Sequence, residues 1–590
     1  MLLTRFYFTS VQNCSYSYKN LDKLSLKVYY LQELSTILQS RKNDPSPYNE
    51  SLKNNPVYNV DQHTFNKYDI TQLTHDVNKS INDLSPSQLL STAISYTKLY
   101  GVGKKEWKRL CYSSLKHIYD NCYNINAISF SQIAMILYSY ASKFTNEMPV
   151  TNKLLKACVK STGSLNERDI SMILYYMRRT KCIPKTLNTP QDFKNAQILR
   201  SIALCLSKEG GNKLVKMTPM GLVSIVYNFT QMGMIPWSLI YHSCNLIKKK
   251  SRYLDSKSIG FHSRSLSSLN IRDKKALDSF VSTLENRTKI PIQTISSLLY
   301  SLAKLKYRPK ASLLPVLNYT KQSIFLFDDR DLALLVYSLG QLGIKYDGLF
   351  DSISEFIKKR IDYQSPQHLS MFIRGYSKLG IYDESLVQSI MSHVIQLLTG
   401  FSVTQLVSVL DSLVVLGYFN DSVYSQLLEH FCTFHSEDLP EYSINQLNRI
   451  MYSTKLEHPE FISKAPTYIS SLFDQYQGVF MIRELKDSSD SLFRCLKQLN
   501  VDYEIGQKAG PYVPDAIIDG KICIDIVSKG SVCPITGSFL GSVNMAERHM
   551  NILGYEYIKI PKQEWVKKSD SQRITLLKQL LSSKPYGKFV

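Results

Sequence analysis

No CxxC pair occurs among the eleven cysteines scattered from Cys14 to Cys533. A chain of this size needs no disulfide staple, so reduced and mostly buried thiols are expected. No run of 18 consecutive apolar residues is present, which argues against a membrane span. Walker-type glycine loops, GxSxG elbows and HExxH helices are missing too, so nothing points to nucleotide hydrolysis or acyl transfer. His430-x-Cys432-x-x-His435 has no fourth ligand close in sequence, so neither a metal site nor any cofactor is expected. Acidic residues are absent before Asp22, in MLLTRFYFTSVQNCSYSYKN, where Arg5 and Lys19 stand among hydroxyls and aromatics. That composition suits an organellar import presequence over 1–25, and it lacks the long apolar core of a secretory signal.

What is there is basic and globular. Hydrophobic residues make up 44% and charged residues 20% of 590, too long a chain for one ordinary core. Lys and Arg total 71 against 49 acidic residues, a net charge of +22. Such an excess favours a polyanionic partner, because Lys and Arg neutralise phosphates and release counterions. Residues 26–79 read as an N-terminal helical and linker region, with Asn, Ser and Pro dominating Arg41 to Asn55.

The strongest signal is internal repetition. Ile295, Leu332, Leu369 and Leu406 are 37 residues apart, and so are Leu298, Leu335, Phe372 and Val409. Leu299, Leu302 and Leu305 begin three further apolar series of the same period, which places the stripe at i, i+3, i+4, i+7 and i+10 of a helix. Gly343, Gly380 and Gly417 follow the last apolar residue, where a left-handed cap is needed. A second stripe at Leu313, Phe350, Val387 and Tyr424 makes each unit a helical hairpin that must stack on its neighbours. Weaker copies extend the array over about 80–470, including Leu89, Ala93, Tyr96 and Leu99. Lys248 to Asn270, with KKKSRY and repeated Ser, interrupts the register and is expected to be an inserted, flexible, basic loop.

Past a linker at 471–487 the texture changes. A helix over Ser491–Leu499, a strand over Val501–Ile505, a hairpin around Asp519-Gly520, a helix over Ser542–Leu553, a strand over Glu556–Ile560 and a last helix describe a small α/β sandwich over 488–583. The fold class expected is therefore mainly α, a solenoid of helical hairpins followed by a small α/β domain. The runs PDAIIDGKICIDIV and TGSFLGSVNMAERHMNILGYEYIKIPKQEW, with Gly554–Tyr555, Ile560–Pro561 and Glu564–Trp565, resemble the RAP domain. The 37-residue period resembles heptatricopeptide repeats. Together the resemblances imply organellar RNA metabolism, in the mitochondrial matrix or else a plastid-like organelle. They imply RNA as partner, with mitochondrial ribosomal proteins as further candidates and no membrane. They also imply a restriction-endonuclease-like fold for the last domain.

Two sets of residues are candidates for function. That fold relation makes Asp515 and Asp525 the acids of a PD…(D/E)xK metal-nuclease pattern. Val527 stands where lysine belongs, and Lys529 lies two residues further on. For binding, Lys304, Gln341 and Lys378 share one repeat position (then Val415), while Arg548, His549, Lys559, Lys562, Lys567 and Lys568 form a basic tract in which Trp565 either stacks on a base or seats the last strand in the core. The sequence leaves three readings open: an RNA-binding protein, a metal-dependent RNA endonuclease and a protein-binding scaffold.

Overall fold

The computed structural model describes residues 217–476 (apart from 236, 310–312, 347 and 435–438), residues 489–582, and shorter stretches upstream, chiefly 70–80, 91–96, 130–141 and 166–181. The presequence at 1–25, the Arg41–Asn55 linker, Leu99, His435 and most of the 471–487 linker lie outside them. The chain divides into two compact units, Met1–Tyr253 and Leu254–Val590. It is mainly helical, with one small four-stranded sheet. Among the described residues no helix is long and apolar enough to cross a membrane.

In the first unit α1 (Ile70–Lys79), α2 (Phe130–Ala141), α3 (Glu167–Arg179) and α4 (Pro219–Gln231) precede α5 (Trp237–Lys250). Helix α3 packs against both α2 and α4, and α4 forms a hairpin with α5.

The second unit begins with hairpins whose first helices are α6 (Ser256–Ser268), α8 (Ile292–Lys304), α10 (Asp329–Leu342), α12 (Pro366–Leu379), α14 (Val403–Leu416) and α16 (Glu441–Glu457). Their partners are α7 (Lys274–Glu285), α9 (Leu314–Gln322), α11 (Leu349–Lys358), α13 (Glu384–Gln396) and α15 (Asp421–Cys432), with α17 (Pro459–Lys464) and α18 (Thr467–Gln475) closing the array. The apolar stripe is the reason: Leu298, Leu299, Leu335, Val336, Phe372, Ile373, Val409 and Leu410 are all fully buried. Each such side chain contributes about 1.5–3 kcal/mol on leaving water.

Consecutive first helices pack broadly on one another, whereas consecutive second helices touch only lightly, so the first helices form the tight row. Local signals set their ends. Asp255, Asp328, Ser365 and Ser402 accept the N–H three residues on as N-caps. At the other end a residue of positive φ stops each helix: Lys181, Gly233, Asn270, Lys306, Gly343, Gly380 and Gly417.

That series corrects the expected loop at 248–270. Gly233 and Asn270 are themselves 37 residues apart, so the register is unbroken there. Lys248 to Lys250 end α5, and Ser256–Ser268 is an ordinary first helix. Its stripe was hidden because Ser263, Ser265 and Ser267 are buried polar residues, each satisfied by a carbonyl of its own helix at 3.0 Å. His262 occupies the place that Leu298 fills one repeat later.

The C-terminal module comprises α19 (Ser489–Gln498), β1 (Tyr503–Glu504), β2 (Ala516–Ile518), β3 (Ile522–Val527), α20 (Gly541–Ile552), β4 (Glu556–Pro561), α21 (Lys562–Lys567) and α22 (Asp570–Ser582). Strand order is β1-β2-β3-β4, antiparallel except for the parallel β3–β4 pair. Asp519 (φ 48°) and Gly520 (φ 63°) make the tight turn between β2 and β3. One sheet face packs Ile524, Ile526 and Ile560 against Leu492, Leu496, Leu577 and Leu581 of α19 and α22. The other packs Ile517, Cys523 and Tyr557 against Ala546 and Met550 of α20.

Candidate nucleic-acid interface

Helix periodicity leaves a single stripe uncovered on the first helices other than α14, whose residues 406–415 are all buried, and one position on it carries a ladder. In the second unit it holds Arg264, Tyr300, Tyr337 and Arg374, at intervals of 36 or 37, all half-buried. In the first unit the same position holds Tyr138, Tyr175 and Tyr227. The Tyr138 and Tyr175 rings stand 5.0 Å apart, and the Arg178 guanidinium lies 5.3 Å from the Tyr175 ring and 5.4 Å from the Tyr227 ring. Half-exposed rings interleaved with arginines present π-faces and charge together, the combination on which unpaired bases stack. The signal was readable, since Tyr300, Tyr337 and Arg374 obey the 37-residue arithmetic one turn before Lys304, Gln341 and Lys378.

Those three occupy the same stripe. Lys304 is exposed, and Gln341 and Lys378 are half-buried. Burial holds the Lys378 ammonium below its usual pKa, Asp411 opposes that, and Arg449 and Arg374 add to it. Val415 is buried, in contact range of any side chain that would replace Gly541 of α20. The ladder ends at that repeat, where Asp411 takes the place of tyrosine or arginine. Arg449 grips Asp411 through Nε and Nη2, both at 2.6 Å, and Gln446 adds a third bond at 2.8 Å.

The basic tract of the module divides. Arg548 donates to the carbonyls of Val415 and Val414 at 3.2 and 2.7 Å and to Glu457 at 3.0 Å. His549 is wholly buried, with Nε2 2.7 Å from Glu457 and Nδ1 2.6 Å from the Tyr512 hydroxyl. Both residues seat the module on the repeats rather than facing outward. Arg308 completes the seat, donating to the carbonyls of Lys529, Gly530 and Val532, and Lys345 Nζ donates to the Phe539 carbonyl at 3.2 Å.

Trp565 takes the core alternative and is not a stacking platform. It is fully buried in the module core and its indole N–H donates to Ser491 at 2.8 Å. Lys559 is held by Glu547 at 2.5 Å and lies 4.7 Å from the centre of the Phe539 ring. Lys567 is exposed, Lys562 is half-exposed, and Lys568 is half-exposed with Glu564 at 3.8 Å.

Asp515 and Asp525 are brought together, but both are buried and every carboxylate oxygen accepts a protein donor. Asp515 takes Ser489 Oγ at 3.1 Å and the Ile526 N–H at 2.6 Å. Asp525 takes the Asp515 N–H at 3.3 Å and the Tyr557 hydroxyl at 2.5 Å. Lys529 is exposed in the turn after β3, and its carbonyl is bound by Arg308. Among the described residues no group of three or more His, Cys, Asp or Glu is arranged to hold a metal ion.

Residues 318–455, which span α10 to α15 and most of α16, match the family described as RNA-editing substrate-binding complex 6 protein. No curated protein matches the chain. Among solved structures, a chain of the full-length AP-3 complex in an intermediate open conformation, itself a homology model, is 13% identical over 80% of this chain and 83% of that one. Its TM-score of 0.27 is too low for the likeness to bear on fold or function. The matched stretch includes Tyr337 and Arg374 of the ladder and Asp411 at its end, so the chain is similar to that family over this part of the repeats.

Proposed function

We propose that this protein is an RNA-binding scaffold of the mitochondrion, holding single-stranded RNA along its first helices within a larger RNA–protein assembly. The observation that carries the reading is the ladder of Tyr and Arg at one position per repeat. The net charge of +22, the acid-poor N-terminus and the RNA-editing description of the matched family support it. The resemblance to heptatricopeptide and RAP proteins extends the reading to processing or stability of rRNA or mRNA, or to a place in the mitochondrial ribosome. In this reading the α/β module is a docked end-piece, because its paired carboxylates are committed to holding β2, β3 and β4 together.

Filter binding of single-stranded RNA across a salt series tests the proposal. A linear fall of log K with log salt is expected. Joint Tyr300→Ala and Tyr337→Ala replacement is expected to weaken binding by about 1–3 kcal/mol for each base that loses its stack. Undetectable or salt-insensitive binding at low ionic strength rejects the proposal.

A further inference from the structure

One step of the ladder is built differently from its neighbours. Tyr337 and Gln341 on α10, and Arg374 and Lys378 on α12, are i,i+4 pairs that share a helix face. The two helices come unusually close beside them: a Cβ on Gly340 would stand 2.7 Å from the Gly375 Cα. All four side chains are half-buried. Arg374 uses Nη1 on Ser408 Oγ at 3.0 Å, and its Nε has no partner; neither has the Gln341 amide nitrogen. Lys378 makes no hydrogen bond or ion pair among the described residues, and the acid that acts on it, Asp411, is taken by Arg449.

Donors withdrawn from water without acceptors are costly, so the step is shaped to receive them. The step before it, Tyr300 and Lys304 against Tyr337 and Gln341, has a single cation. The step after it brings in Asp411 and Val415, an acid and an apolar residue. Two cations flank a ring between α6 and α8 as well, Arg264 and Lys304 beside Tyr300, but there Lys304 is exposed, whereas Arg374 and Lys378 are both half-buried.

We infer that this step selects guanine: the base lies on the Tyr337 ring and its O6 and N7 face the donors of Arg374 and Lys378. The inference rests on the RNA-binding reading above. Guanine offers two acceptors on one edge, whereas adenine and cytosine place an amino donor there and uracil a single acceptor. A backbone phosphate offers acceptors too, but it makes no use of the ring.

Fluorescence anisotropy with the full chain and labelled oligouridylates carrying one central G, A or C tests this. The G oligomer is expected to bind about tenfold more tightly than the A oligomer, within the range one base contact commands. Arg374→Gln is expected to bring that ratio within about twofold, and Lys378→Met to reduce it as well. Equal affinity for all three oligomers in the unaltered protein overturns the guanine assignment and leaves RNA binding standing. So does an Arg374→Gln chain that weakens all three alike and lowers the salt slope by about one, which marks a phosphate contact. No binding of any oligomer at low salt removes the RNA-binding reading itself.

Discussion

Replacing Glu457 by Gln tests whether charge holds the α/β module on the repeats. The Glu457 side chain is 11% exposed at the end of α16 and receives Arg548 at 3.0 Å and His549 at 2.7 Å. Glutamine keeps the shape but not the charge, and its amide group turns a donor toward one of these donors. Hydrogen bonds to charged groups contribute roughly 1.5–3 kcal/mol. Arg548 is one-third exposed and keeps the carbonyls of Val414 and Val415, so its share is discounted. A loss of about 2 kcal/mol in docking free energy follows, about 30-fold in the undocking equilibrium.

Native-state hydrogen exchange reads this directly. Amides of α20 that exchange through undocking are expected to speed up about 30-fold, while those of α6, away from the seat, stay unchanged. The pH dependence has a definite sign. Burial raises the Glu457 pKa, but the hydrogen bond from His549 and the charge of Arg548 outweigh it, and the net shift is downward. A carboxylate with a depressed folded value stabilises fully above its unfolded value of about 4.3, and that contribution is lost as pH falls through the folded value. The unaltered protein therefore loses this part of α20 protection only in acid, below about pH 4.3, and the Gln variant shows no such step. Exchange of α20 changed by less than twofold in the variant at neutral pH refutes the reasoning.

Trp565→Ala is expected to destabilise the module by about 3–5 kcal/mol, with loss of near-ultraviolet signal and a lower melting temperature. An unchanged melt with weakened RNA binding would instead make Trp565 a stacking residue. His262, wholly buried against Phe280 and with a pKa lowered to about 4 by burial, gives stability that is lost as pH falls from about 6.5 towards 4, because only the unfolded chain takes up the proton. His262→Leu, the residue at Leu298, is expected to flatten urea-denaturation stability over that window; an unaltered slope counts against the burial argument.

The repeats were legible because twenty apolar residues from Ile295 to Leu416 sit on one arithmetic grid, and burial of that stripe is the main force that forms the hairpins. The repeat beginning at Ser256 was not, since serines and a histidine stand on its buried face and are satisfied locally, which hydropathy does not register. The ladder lay on the same grid one turn away, at Tyr300, Tyr337 and Arg374, but exposure decides its meaning and exposure follows from stacking. The seat of the module could not be read at all: Arg308 meets Gly530, 222 residues away, through backbone carbonyls that carry no sequence signature. Trp565 among lysines left surface and core placement open, because the sheet face it covers is formed by residues 516–560 that only folding brings beneath it.

The helix-ending residues of positive φ carry one more message. Lys181, Asn270 and Lys306 show that this backbone tolerates a side chain at the position. Glycine is favoured for a different reason at Gly343, Gly380 and Gly417: a Cβ there would press on Arg308 and Leu540, on Asn544 and Gly541, and on Arg548 respectively. At Gly233 it would meet nothing. Three consecutive glycine caps therefore trace the footprint of the C-terminal module on the repeats, a record in the chain of which hairpins must stay smooth for another surface to lie flat against them.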